Sequence, residues 1–192
     1  MFLRIALVLA AGALIPNASI AAEKTPQLRD FPFWSTPKQP HARAFVPGLQ
    51  AALQLTTDQI AKIEEACRDT IDQENAKGKN APGAAAAWEK LFEKVAGILT
   101  DDQKKQIEKV NDAYGKSISA ASDEFQPLFA AAKGNAEEMD KVRKDYQKAV
   151  AELFEKKLDG VLSNEQREAV KKAAEMEKKR QEESKKTPKP SK

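Results

Sequence analysis

The chain has a single histidine, His41, and a single cysteine, Cys67. Zinc, copper and nickel sites gather several imidazoles or thiolates at close spacing, so no metal ligand is assigned. One cysteine excludes an internal disulfide. Cys67 falls on the helical stripe Ile60, Ile63, Cys67, Ile71, where a small buried hydrophobe and an intermolecular bridge both fit. His41 stands among prolines without a nearby partner and reads as a solvated loop residue. There is no glycine-rich phosphate loop, nucleophile elbow or cysteine pair, so no catalytic or cofactor-binding residue is assigned and no enzyme is expected. Aromatic residues make up only 6%, and 32 Lys and Arg face 29 Asp and Glu. Such an even balance lacks the clustered cations that phosphate backbones require, which argues against nucleic acid.

Long apolar runs are also scarce. The one candidate is N-terminal: Arg4, then the apolar stretch Ile5 to Ile15, then the small residues Ser19-Ile20-Ala21-Ala22. This order reads as a secretory signal over residues 1–22, cleaved near Ala21 or Ala22. The run is shorter than the ~20 residues a spanning helix needs, so no stable membrane insertion is expected. Export follows, to the periplasm if the host has two membranes.

What the chain does have is a pentapeptide written three times: Leu55-Thr56-Thr57-Asp58-Gln59, Leu99-Thr100-Asp101-Asp102-Gln103 and Leu162-Ser163-Asn164-Glu165-Gln166. Each copy is a capping box. The Thr or Ser oxygen accepts from the backbone N–H three residues on, and the glutamine reaches back to the N–H of the capping residue. The leucine sits outside the cap, where an apolar contact fixes the entry angle of the chain. Acidic residues in the first turn suit the helix macrodipole. Ile60 is placed as the staple partner of Leu55; in the later copies Lys104 and Arg167 take that position, so Ile107 and Val170, one turn on, are expected to meet the leucine.

The later copies also carry a stop signal. Gly97-Ile98-Leu99-Thr100 and Gly160-Val161-Leu162-Ser163 place a glycine and a β-branched residue before the box. Gly97 and Gly160 are therefore expected as left-handed C-terminal caps. The flanks Leu91-Phe92-Glu93-Lys94 and Leu153-Phe154-Glu155-Lys156 repeat as well. The chain thus repeats a helix–corner–helix unit, with too few copies for a solenoid.

The expected organisation is a signal peptide (1–22), a proline- and aromatic-rich extended arm (23–48), a helical domain (49–177) and a charged, frayed tail (178–192). Phe31, Phe33, Trp34 and Phe45 give the arm an apolar surface for docking; disorder fits its composition too. The domain reads as all-α, about five helices in elongated antiparallel α-hairpins joined by capped corners. The first helix spans Thr57 to about Lys77, the second Ala84 to Ala96. The third begins at Asp101 with Ile107, Val110, Tyr114, Ile118, Ala121, Phe125 and Leu128 on its stripe, and Pro127 should bend or stop it. The fourth presents Met139, Val142, Tyr146, Ala149 and Leu153, with Val150, Phe154 and Leu158 beside them. The fifth begins at Asn164. Such stripes can be buried internally, in a homodimer, or against another protein.

On these motifs, over roughly Leu49 to Glu177, the chain resembles the LTxxQ-motif family, the Spy/CpxP-like proteins of bacterial envelopes. The resemblance implies a small periplasmic protein of long α-hairpins, often a homodimer, acting as an ATP-independent chaperone or stress-response modulator. A related branch binds metals, and the missing histidines set this chain apart from it. Further departures are the third motif copy at Leu162 and the long arm. The motif residues carry over as structural corners, and no client-binding residue is assigned. The expected function is non-catalytic binding of partly unfolded or envelope proteins. A regulatory or structural partner of one envelope protein is the alternative, followed by a metal-responsive sensor.

Overall fold

A computed structural model describes residues 28–34, 47–76 and 84–186. Among them are six α-helices, a short 3₁₀ turn at Leu28–Asp30 and no strand, an all-α fold. The helices are α1 (Pro47–Leu53), α2 (Thr57–Ala76), α3 (Ala84–Ile98), α4 (Asp101–Ala131), α5 (Ala136–Leu158) and α6 (Asn164–Lys186). The expected signal segment (1–22), His41, Phe45 and residues 187–192 lie outside the described residues.

All three boxes form. The amide N–H groups of Gln59, Gln103 and Gln166 donate to Thr56 Oγ1, Thr100 Oγ1 and Ser163 Oγ at 3.2, 3.3 and 3.2 Å. In return the backbone N–H groups of Thr56, Thr100 and Ser163 donate to the Oε1 atoms of Gln59, Gln103 and Gln166 at 3.1, 2.9 and 2.8 Å. A fourth helix start uses Asn135, whose side chain accepts from the N–H groups of Glu137 and Glu138. Leu55, Leu99 and Leu162 are buried, as are Ile107 and Val170.

The glycine caps do not form. Gly97 lies inside α3, and among the described residues positive φ occurs only at Gln54 (50°) and Gly134 (95°), not at Gly97 or Gly160. The reason is local. Leu99 N–H still bonds Val95 O at 3.3 Å, and Leu162 N–H bonds Leu158 O at 2.9 Å, so right-handed hydrogen bonding runs up to the next cap. Extended backbone at Thr100 (φ −73°, ψ 162°) then turns the chain without a left-handed residue.

Helix α1 has no counterpart in the sequence expectations, which place residues 47 and 48 in the extended arm. Pro47 occupies its first position, where a fixed φ and a missing N–H cost nothing. Seven residues are too few to show a period, yet Gly48, Leu49, Ala52 and Leu53 are all buried. Gln54 closes α1 in the left-handed conformation, and Leu55 N–H reaches back to Gln50 O at 3.3 Å, the six-to-one bond of a Schellman cap.

Helix α4 packs chiefly on α5, α1 on α6, and α2 on α3. Tyr114 meets Phe154, and Phe125 and Phe129 both meet Tyr146, so α4 and α5 run antiparallel from the turn at 132–135. Pro127 sits inside α4 without ending it; the helix has 31 residues, about 46 Å at 1.5 Å per residue. The α5 core face is the neighbouring stripe Val150, Phe154 and Leu158, while Met139, Val142, Tyr146, Ala149 and Leu153 are half-buried. On α4, Leu128 is 47% exposed and leaves the stripe. Helix α6 continues to Lys186, eight residues beyond the expected fraying point at Lys178, because Glu, Lys, Gln and Arg are strong helix formers even without an apolar face.

The main core gathers Leu49, Leu53, Ile63, Leu91, Val95, Ile107, Val110 and Phe154, with Leu28 and Phe31 from the arm. Cys67 is 2% exposed. Burial pushes its thiol from 9.0 up to about 12, with Glu64 adding to the rise. Of the two sequence readings, the small buried hydrophobe fits this environment.

Candidate functional site

The boxes use only part of each glutamine. A primary amide has two donor hydrogens and an acceptor with two lone pairs, and one lone pair serves the local cap. The structure shows where the rest goes. Gln59 Nε2 donates to Gln103 Oε1 at 2.8 Å, and Gln103 Nε2 donates to Gln59 Oε1 at 3.1 Å. The remaining hydrogens reach carbonyls of other helices: Gln59 Nε2 to Ile98 O at 3.0 Å and Gln103 Nε2 to Leu53 O at 3.2 Å. The third copy behaves alike, Gln166 Nε2 donating to Ala52 O at 2.8 Å.

The recipients are not arbitrary. The last carbonyls of a helix have no intrahelical partner. Ala52 and Leu53 end α1, and Ile98 ends α3. Each motif glutamine therefore caps the N-terminus of its own helix and the C-terminus of another. The termini of α1, α2, α3, α4 and α6 are tied at one junction. Gln59 is 9% exposed, and in such a shielded place an unmade bond costs about 1–3 kcal/mol. Gln106, one turn past Gln103, extends the junction by donating to Val161 O at the α5–α6 corner. Its position three residues from a motif glutamine was the available signal, and the motif reading passed over it. Two ion pairs, Arg167–Asp159 and Lys171–Glu155, also join α6 to the end of α5.

The second feature is the arm. Leu28, Phe31, Phe33 and Trp34 are each at most 8% exposed, so this stretch is docked rather than free, and its first residues form a 3₁₀ turn rather than extended chain. Phe33 stacks on Phe154 at 5.7 Å, Phe31 stands edge-on to Phe33, and Trp34 stands edge-on to Phe92 at 6.3 Å. The Phe33 carbonyl lies 2.4 Å from the point a Cβ would occupy at Gly48. Glycine is what lets the arm backbone approach α1 so closely.

The third is surface. Toward their shared turn, α4 and α5 present Leu128, Phe129, Met139 and Val142 exposed or half-buried, among Asp123, Glu124, Lys133, Lys141, Arg143 and Lys144. Met176 of α6 is 60% exposed. Among the described residues no His, Cys, Asp or Glu group has the arrangement of a metal site. No described helix is long and apolar enough to cross a membrane. No protein-family model, curated protein or solved structure matches the chain.

Proposed function

We propose that the chain is an exported, non-catalytic chaperone-like protein of the Spy/CpxP type that holds partly unfolded envelope proteins without ATP. The observation that carries this reading is the reciprocal Gln59–Gln103 pair. It makes two motif copies partners of each other, so the motif acts as a joint between helices, in keeping with the resemblance drawn from the sequence. A joint of this kind frames surface, and the surface here interleaves apolar and charged groups along α4 and α5. Mixed faces of that sort suit loose recognition of many sequences. A homodimer would cover part of the same surface, and light scattering on the mature protein reads it.

The test is aggregation of a chemically denatured client with and without the purified mature protein, nucleotide absent. Suppression at equimolar dose is expected; no suppression overturns the reading. A single stoichiometric partner in pull-downs from the envelope would point instead to a dedicated regulatory role.

A further inference from the structure

The arm carries its own chemistry into the helical frame. Its seven described residues, Leu28-Arg29-Asp30-Phe31-Pro32-Phe33-Trp34, bury four large apolar side chains yet bond little to what they cover. The backbone hydrogen bonds they show, Phe31 N–H to Leu28 O and Trp34 N–H to Phe31 O, stay within the arm. Among the described residues the polar tie to the helices is the ion pair Arg29–Glu89, whose side chains are 63% and 50% exposed. Exposed pairs of this kind contribute little. Among the described residues the buried Trp34 indole N–H has no acceptor, an arrangement that disfavours the docked state. The hydrogen bonds of the glutamine junction, which tie the ends of α1, α2, α3, α4 and α6, include no arm residue, so what holds the arm is chiefly its apolar contact with the core.

From this we infer that the slot walled by Gly48, Phe92 and Phe154 is a binding site for short, turn-forming, aromatic-bearing stretches of unfolded protein, and that residues 28–34 are its built-in, displaceable occupant. The slot recognises rings through Phe92 and Phe154 and admits close backbone through Gly48. The arm fills it because it has the same chemistry as the segments it would yield to. An attached ligand competes at an effective concentration in the millimolar range, so the arm sets a threshold that only segments rich in aromatic residues pass. This inference rests on the chaperone reading for the origin of the incoming segment, but the slot can be assayed without it.

The probe is a dye-labelled peptide of the arm's own sequence, residues 28–34. Three forms of the full chain are compared by fluorescence anisotropy: wild type, an arm-released variant (Phe31→Ala with Trp34→Ala), and an arm-locked form. The lock is Arg29→Cys with Glu89→Cys joined by a reducible bismaleimide, with reagent-treated wild type as control. The expected result is at least tenfold tighter binding to the released variant than to wild type. The locked form should bind nothing until reduction restores the wild-type affinity. Equal affinity in wild-type and locked protein overturns the inference, as does no binding to a released variant that keeps its helical circular dichroism. If the released variant loses its helices, the locked and reduced forms decide alone. The client assay separates the two readings: suppression by locked and unlocked protein alike removes the slot but keeps the chaperone, whereas peptide binding without client suppression does the reverse.

Discussion

Gln59 and Gln103 hold each other by two amide hydrogen bonds, 2.8 and 3.1 Å long, while each caps its own helix. Replacing either by alanine removes a cap contribution of about 1 kcal/mol and strips Ile98 O or Leu53 O of its partner. Each single variant is expected to lose about 2–3 kcal/mol in urea denaturation. The double variant should lose less than the sum by about 1 kcal/mol, since the shared bonds can be lost only once.

Gln103→Glu separates the two roles. The carboxylate keeps the acceptor for Thr100 N–H but loses the donors to Leu53 O and Gln59 Oε1. Facing two carbonyl oxygens, it would titrate above its unfolded value. Its stability is then fully present below the unfolded carboxyl pKa and is lost as pH rises through the folded one. Melting temperatures against pH should therefore show the variant approaching wild type below about pH 4 and falling away toward pH 7.

The glycines sort by backbone. Gly97 and Gly115 sit inside helices with open space where a Cβ would stand. Alanine at either is expected to stabilise by about 1 kcal/mol. Gly134, at φ 95°, should lose about 1–2 kcal/mol with alanine. Gln54→Gly relieves a left-handed non-glycine residue and should stabilise by roughly 0.5–1 kcal/mol, read as a rise in the urea midpoint.

Cys67 should resist iodoacetamide at pH 8 in the folded protein and react fully in urea. Its thiol is raised from 9.0 to about 12 by burial first and Glu64 second. Between those values the unfolded chain has released the proton and the folded one has not. Its contribution to stability is thus complete below about pH 9 and drains away as pH climbs toward about 12.

Gly48→Ala would set a methyl group 2.4 Å from the Phe33 carbonyl. The arm must shift, and in a Trp88→Phe background the emission of Trp34 should move to the red. Helical circular dichroism should persist, because no arm residue takes part in the hydrogen bonds of the glutamine junction.

The legible parts of this molecule were those governed by neighbours in sequence. A capping box needs only residues i and i+3, so Thr56/Gln59, Thr100/Gln103 and Ser163/Gln166 announced the starts of α2, α4 and α6. The second hydrogen on each glutamine has no local partner, and nothing in the sequence says that Leu53 O or Ile98 O will be near. The Gly97 and Gly160 signals misled because a corner with an extended capping residue needs no left-handed glycine. The α5 period was right and its face was offset by one stripe, since two overlapping stripes share that helix and only the position of α4 chooses between them. Helix α1 stayed hidden for want of length. The arm's aromatics suggested docking, but not that Phe33 would seat on Phe154.

Pro127 has no amide proton, so the Asp123 carbonyl four residues earlier lacks its helical donor, and both residues face water. Together with the remoteness of the glutamine knot, this grades α4 along its axis. Amide exchange should be slowest around Ile107 and Val110 and quicken past Ser122, so the far end of the α4–α5 pair can fray and re-form while the knot stays shut.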